Sequence, residues 1–382
     1  MSPIQRKAVF ALTVALLVTT LFTPLAFAQG GVWTVISSPN QGTKDNQLLG
    51  VAPVSASDIW SVGNYNAGPY TMSLRTLAQH WNGSSWSIVS SPNPAKKTGD
   101  YDSLQGVAAV STSNVWAVGY SGNLSVYADQ TLIEHWNGSA WSMVSSPNPY
   151  MTQDLYSVAA VSTSDIWAVG QGFSYSPYGY TTLAEHWNGS AWSEVTSPGY
   201  VALRGVTAVA SNNVWAVGGS QILHWNGTSW SIVTSPQPPN GDGYELRAVA
   251  AVSASNIWAV GYEEIAAGEG YVYDPLIEHW NGSSWQLAPG ANPNAGTTFL
   301  SGVTAPSSTS VWAVGITLGQ SFVERWNGTQ WARVSSPNPS ATQDSLQAAT
   351  ALPATGDVWA VGEDFSSTSS SYQTLVEQCH AC

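Results

Sequence analysis

The chain has 382 residues, with 23 Asp and Glu against 10 Lys and Arg, 20 Trp, 16 Tyr, 35 Gly and 43% apolar residues. That much aromatic and apolar content excludes a disordered chain. The acidic balance excludes nucleic acid or an anionic membrane as the main partner, and two Cys cannot staple a disulfide framework.

At the start of the chain, Arg6 and Lys7 precede an apolar run over residues 8–22, and Ala26-Phe27-Ala28 supplies a small-x-small pattern. This predicts a cleaved secretory signal over 1–28 rather than a retained anchor, because the run is short and ends at Pro24. No second long apolar stretch follows, so no membrane span is expected after cleavage, and the protein is expected to be secreted. Residues 29–382 are expected to form a single domain.

Residues 32–37 read as a lone strand containing Trp33. One sentence then recurs: G-V-A-A-V-S-x-S-D/N-V/I-W-A-V-G, a variable loop, and L-x-E-H-W-N-G-S-x-W-S-x-V-S-S-P-N-P. The Trp of W-A-V-G falls at Trp60, Trp116, Trp167, Trp215, Trp258, Trp312 and Trp359, seven copies spaced 43 to 56 residues apart. Every Trp in the chain is a repeat residue and reads as core. Each copy holds four strand signals, here A to D, rich in β-branched and aromatic residues and bounded by Gly, Ser, Asn or Pro. Ser-x-Ser-Asp/Asn makes a tight A–B turn, and Asn-Gly makes a C–D hairpin turn.

A repeat of about 50 residues with four strands is a propeller blade. The seventh copy stops after strand C, near 374–378, and lacks its D. The strand over 32–37 is the missing piece. The prediction is all-β: a seven-bladed β-propeller of four-stranded blades, its ring closed by the N-terminal strand pairing with the C-terminal one. Such closure removes two sheet edges that would invite aggregation.

Leu223-His224-Trp225-Asn226-Gly227-Thr228-Ser229-Trp230 and its counterparts resemble the kelch and galactose-oxidase central-domain class, and are similar to the repeats of bacterial seven-bladed propeller lectins. The resemblance spans all seven repeats and implies architecture, together with carbohydrate binding as the lectins' property. It departs from kelch in lacking Gly-Gly after strand B outside Gly218-Gly219, and the W-D dipeptide of the WD40 class is absent. Galactose-oxidase chemistry needs a Cys–Tyr crosslink and copper ligands. Cys379 and Cys382, the only Cys, sit at the C-terminus, so that activity is not implied. They are expected to form a disulfide or a frayed tail.

His80, His135, His186, His224 and His279 form a column before the W-N-G Trp, with Glu134, Glu185, Glu278, Glu324 and Glu377 one residue earlier in their repeats. Each copy lies on its own blade, so the columns cannot converge on one ion. Inter-blade hydrogen bonding is the expected role, and no metal or cofactor is expected. Asp58, Asn114, Asp165, Asn213, Asn256 and Asp357 are expected to cap the A–B turns. Asn82 and its counterparts match the N-x-S/T pattern but read first as hairpin turns. No catalytic motif is present.

All 16 Tyr fall in the B–C loops or D–A segments, including Tyr70 and Tyr127, among Gly, Ser and Asn. That is the composition of an adaptable binding face. At the start of strand A a variable position follows a constant Leu: Leu49, Gln105, Tyr156, Arg204, Arg247, Ser301 and Gln347. A fixed frame around a variable polar residue marks a site at the channel mouth. The candidate ligand-binding residues are therefore Gln105, Tyr156, Arg204, Arg247 and Gln347, with Tyr101, Tyr178 and Tyr271 from the loops. The two Arg would favour an anionic sugar or carboxylate.

The first functional expectation is a non-enzymatic binding propeller whose ligand is a carbohydrate or an extracellular protein. The alternatives are a structural scaffold without a small ligand, and a glycan-acting enzyme. Sparse ionisable groups weigh against the last.

Overall fold

The computed structural model describes residues 31–68, 73–95, 97, 99–124, 128–175, 178–239, 243–268, 270–291, 297–340 and 342–382. The expected signal segment, Tyr70 and Tyr127 lie outside them. Residues 31–382 form one compact unit. Among the described residues no helix is long and apolar enough to cross a membrane.

β1 (Trp33–Val35) comes first. Blade 1 is β2 (Asn46–Ser55), β3 (Asp58–Asn66), β4 (Leu74–Trp81) and β5 (Trp86–Val89). Blade 2 is β6 (Asp100–Ser111), β7 (Asn114–Asn123), β8 (Ala128–Trp136) and β9 (Trp141–Met143). Blade 3 is β10 (Thr152–Ser162), β11 (Asp165–Tyr175), β12 (Tyr178–Trp187) and β13 (Trp192–Glu194). Blade 4 is β14 (Gly205–Ala210), β15 (Asn213–Gly218), β16 (Gln221–Trp225) and β17 (Trp230–Val233). Blade 5 is β18 (Gly243–Ser253), β19 (Asn256–Ala267), β20 (Gly270–Trp280) and β21 (Trp285–Leu287). Blade 6 is β22 (Thr298–Ser307), β23 (Ser310–Thr317), β24 (Gln320–Trp326) and β25 (Trp331–Val334). Blade 7 is β26 (Asp344–Leu352), β27 (Asp357–Ser366) and β28 (Ser371–Cys379), completed by β1.

Each blade is a four-stranded antiparallel sheet, and the seven sheets form the ring. Trp33 pairs with Cys379 and Val35 with Glu377, which closes it as predicted. Ile36 N donates to Val376 O at 2.8 Å, and the Ser38 and Thr374 hydroxyls meet at 2.7 Å. Trp33 is buried and meets Trp312 of blade 6 edge-on at 5.7 Å. Cys379 occupies the place of a W-N-G Trp and is disulfide-bonded to Cys382.

The core lies between blades. At six of the seven boundaries the second-strand Trp of one blade meets two Trp of the next; at the blade 6–7 boundary Trp312 meets Trp33 alone. Trp60 lies 4.8 Å from Trp136 and 5.2 Å from Trp141, and its other neighbour is His80 at 4.5 Å. Flat rings fill the wedge between splayed sheets, which is why Trp recurs at these positions. The Asn-Gly turns behave as read: Asn82 Oδ1 accepts from Ser84 N and Ser85 N, both at 3.0 Å, and Gly83 takes φ 94°.

Two expectations need correction. The His column bonds within blades, not between them. His80 Nε2 reaches Asp58 Oδ1 at 2.8 Å, and His135, His186, His224 and His279 make the same contact with Asn114, Asp165, Asn213 and Asn256. The Asp/Asn column therefore serves the His. A Ser hydroxyl caps the turn instead, as Ser55 Oγ does for Ser57 N at 3.3 Å. The reason is register: His80 pairs with Trp60, so its ring stacks on that Trp and reaches the residue that opens β3.

The Glu column does face the neighbouring blade. Glu278 Oε1 accepts from Ser235 Oγ at 2.8 Å, and Glu324 Oε2 accepts from Ala291 N at 2.7 Å. In blade 1, Gln79 Nε2 donates to Pro39 O at 2.9 Å from the same place. These carboxyls are fully buried, and burial pushes them up: Glu278 and Glu324 to about 7, Glu185 and Glu377 to about 8.

Candidate ligand site at the channel mouth

The first strands of all seven blades line a central channel of about 230 Å³. In six of them the ladder to the second strand skips one residue, a β-bulge. The skipped residues are Leu49, Gln105, Tyr156, Arg247, Ser301 and Gln347. In blade 4 Arg204 holds the equivalent place, just before β14, with Arg204 N donating to Val217 O at 2.7 Å. The variable position of the repeat is thus a bulge residue, and together these side chains rim a basin of about 280 Å³.

The bulge also explains two small-residue positions. It brings the strand A backbone across the Gly of W-A-V-G: a Cβ on Gly63 would stand 1.9 Å from Gln47 O, and on Gly170 1.8 Å from Asp154 O. The residue after the bulge faces the next inner strand. A Cβ on Gly106 would meet Ser157 Cα at 3.1 Å, so a small residue here lets the seven strands approach around the channel.

Arg204 and Arg247 form the basic side of the rim. Glu245 Oε1 lies 3.7 Å from Arg204 Nε and 3.5 Å from Arg247 Nε. Two guanidinium groups share one carboxylate, and the Asp154 carboxyl also acts on Arg204. The Arg204 guanidinium stacks over Tyr156 at 4.3 Å, and that of Arg247 over Tyr262 at 4.9 Å and Phe299 at 5.8 Å. The aromatic rings are themselves fixed: Tyr156 OH donates to Asp154 Oδ2 at 2.9 Å, and Tyr262 OH donates to Glu245 Oε2 at 2.7 Å. Burial, then the Asp154 charge, raises the Tyr156 phenol; burial and the Glu245 bond push Tyr262 up to about 12. Both remain neutral donors at ordinary pH. Across the rim, Gln105 Nε2 donates to Ser103 Oγ at 2.8 Å and Gln347 Nε2 to Ser345 Oγ at 3.3 Å. The mouth is a preorganised polar ring with both guanidinium groups on one side.

Of the eight sequence-derived candidates, Gln105, Tyr156, Arg204, Arg247 and Gln347 come together on this rim. Tyr178 and Tyr271 lie elsewhere, 78% and 55% exposed on the β11–β12 and β19–β20 hairpins. Tyr101 departs from the expectation of an open binding surface. It is 8% exposed, packs against Tyr120 and donates its hydroxyl to Asp129. Sequence reasoning missed Glu245 and Asp154. Their signal is position: each stands two residues before a rim residue on the same strand, where alternation brings side chains together. Among the described residues no three His, Cys, Asp or Glu are grouped to hold a metal.

Fold and rim define the class: a seven-bladed β-propeller presenting a variable ring at the channel mouth. No protein-family profile and no curated protein matches the chain. Among solved structures it is similar to YCF48 bound to D1 peptide, at 13% identity and TM-score 0.56, covering 92% of this chain and 97% of that one. It is also similar to YCF48 from Cyanidioschyzon merolae, at 13% identity and TM-score 0.54, covering 91% and 99%. A third likeness is to the WD40 propeller domain of Doa1, at 12% identity and TM-score 0.57, covering 91% and 97%. At these identities the likeness concerns the fold. It supports a seven-bladed β-propeller, without the narrower kelch or galactose-oxidase assignment.

Proposed function

We propose that this protein is a secreted, non-enzymatic binding propeller that holds a partner protein on its mouth face, seating a carboxylate of the partner at Arg204 and Arg247. The observation that carries this reading is the arginine pair. It is braced by one shared carboxylate and two aromatic rings, on an otherwise acidic molecule. A protein partner also agrees with the YCF48 neighbour, whose structure contains a bound peptide. An anionic carbohydrate is the second reading, favoured by the exposed Tyr rings at 178 and 271. The rim carboxylate Glu245 is already engaged by two Arg and one Tyr, which suits a brace better than a general acid.

The test is an array of peptides with free or amidated C-termini, run beside a glycan array and repeated with Arg204→Glu/Arg247→Glu. Peptide binding should weaken at least about tenfold on amidation and vanish in the variant, as expected for a charge-assisted contact of about 1.5–3 kcal/mol. Binding that survives reversal of both charges would sink the proposal. Silence on both arrays would favour the scaffold alternative. Export is part of the same reading. N-terminal sequencing of protein from the culture medium should begin at Gln29, and full-length protein retained in cells would refute it.

A further inference from the structure

Blade 7 is the blade built from both ends of the chain. In blades 1 to 6 an Asn-Gly turn carries the third strand into the fourth, so the two are neighbours along the chain. In blade 7 the fourth strand is β1, only three residues long. Its bond partners are remote in sequence: Thr34 Oγ1 donates to Gln378 O, 344 positions away. No tight turn holds this pair together, so β1 stays seated through its contacts alone.

Those contacts depart from the repeat. Elsewhere the W-N-G Trp packs on the second-strand Trp of the preceding blade, and its indole N–H ties the strand end to the A–B turn. Trp136, for example, lies 4.8 Å from Trp60 and donates from Nε1 to Thr112 O at 3.1 Å. In blade 7 that place holds Cys379, paired with Trp33 on one side and Val358 on the other. The role of the indole passes to a short tail. Cys382 N donates to Gly356 O at 2.6 Å and Ala381 N to Asp357 Oδ1 at 3.1 Å, while the Cys379–Cys382 disulfide fixes the tail to the strand. Cys379 is fully buried with Trp33 and Trp312, and Cys382 packs against the same cluster. The chain entering β1 passes the disulfide at close range: a Cβ on Gly31 would stand 2.7 Å from Cys382 Sγ and 3.2 Å from Cys379 Sγ. The disulfide thus touches both partners of the closure.

We propose that this disulfide is a redox latch on the ring closure. Oxidised, it holds residues 380–382 against Gly31 and the A–B turn of blade 7, and β1 stays seated. Reduced, it frees the tail, and β1 leaves β28 more often. Cys382 is half-exposed where Cys379 is fully buried, so an incoming thiolate attacks Cys382 Sγ. A new S–S bond forms there, the Cys379–Cys382 bond breaks, and Cys379 Sγ leaves with the electron pair and takes a proton. The second thiol of a dithiol reductant then attacks the mixed disulfide. Cys382 departs as a thiol, and the reductant is left oxidised as its own disulfide. The loop closed by the bond covers only residues 379–382, and so short a loop constrains the unfolded chain less than a long one does. The latch therefore acts on this boundary rather than on the whole ring. The inference uses no residue of the rim and does not depend on the partner proposed above.

The test is hydrogen exchange read by mass spectrometry on the full chain, oxidised and after dithiothreitol, with intact mass reporting the state of the disulfide. Residues 31–38 and 371–379 are compared with 128–144, the matching hairpin of blade 2. Cys382→Ala opens the latch without a reductant. Cys379→Trp/Cys382→Ala restores the indole of the repeat. Exchange over 31–38 should be at least about tenfold faster in the reduced protein and in Cys382→Ala, since local opening sets the rate. It should be unchanged over 128–144 and should slow again on reoxidation. The Trp variant, folded by its melting curve, should exchange as slowly as the oxidised parent. Should it misfold, the reduced parent and Cys382→Ala still decide. Unchanged exchange over 31–38 after complete reduction overturns the inference. An equal rise over 128–144 overturns it too, because the disulfide would then be a general brace. So does a bond that dithiothreitol fails to reduce in the folded protein.

Discussion

The two faces of the ring differ in kind. On one, the A–B and C–D turns repeat almost unchanged from blade to blade: Asn-Gly hairpins, Ser-capped turns, and a His held between a Trp and an Asp or Asn. On the other, the B–C hairpins run from none to six residues beyond their Gly, and rim residues range from Leu to Arg. The conserved turns carry contacts that every blade boundary needs. The variable loops carry few contacts that recur from blade to blade, so they differ in length and sequence. The contrast teaches where to look for function in a repeat protein: at positions that vary within an otherwise fixed frame.

The largest effect on this contrast should come from opening the frame. Deleting residues 31–38 removes β1, uncovers the edge of β28 and takes Trp33 from the blade 6–7 boundary. Losing one buried Trp alone costs about 3–5 kcal/mol, and the bare edge invites association. Size-exclusion chromatography should show aggregate. A soluble monomer of unchanged melting temperature would show that closure is dispensable.

A smaller effect should appear with pH. The buried Glu carboxyls have folded values of about 7–8, against about 4.3 in an unfolded chain. The native state binds the extra protons. Their stabilising effect is complete below about pH 4.3 and is lost as pH rises through 7–8. The melting temperature should therefore fall from pH 5 to pH 9, and Glu185→Gln/Glu377→Gln should flatten that fall. Gln79 already occupies the same column in blade 1, so the substitution fits the site. A flat wild-type profile would mean these carboxyls are not held protonated. The smallest stability effect belongs to the variable face. Replacing the exposed Tyr175, Tyr178 and Tyr180 of blade 3 by Ser should leave the melting curve within about 0.5 kcal/mol of the parent, as surface changes do.

Much of the fold was legible because a propeller repeat is local. Four strands, two tight turns and the Trp positions recur within each 50-residue unit, so reading one blade reads seven. The missing seventh D strand and the orphan Trp33 announced the closure. The five rim candidates were legible for the same reason, as variation inside a constant frame. Tyr101 was misjudged because composition places a Tyr in a segment but says nothing of its partner; Asp129, 28 residues on, draws it inward. The shortness of blade 4 was present in the sequence, in the ten residues from Trp215 to Trp225 against 20 from Trp167 to Trp187.

The sequence by itself determined the number of blades, their strand order, the closure and the ring of variable positions, since each follows from periodicity along the chain. Only the tertiary structure decided that those positions are bulges and that Arg204 and Arg247 from different blades share Glu245. Those relations join residues on neighbouring blades across the ring, where the angle between sheets and the parity of each strand set what meets what. No local pattern encodes them.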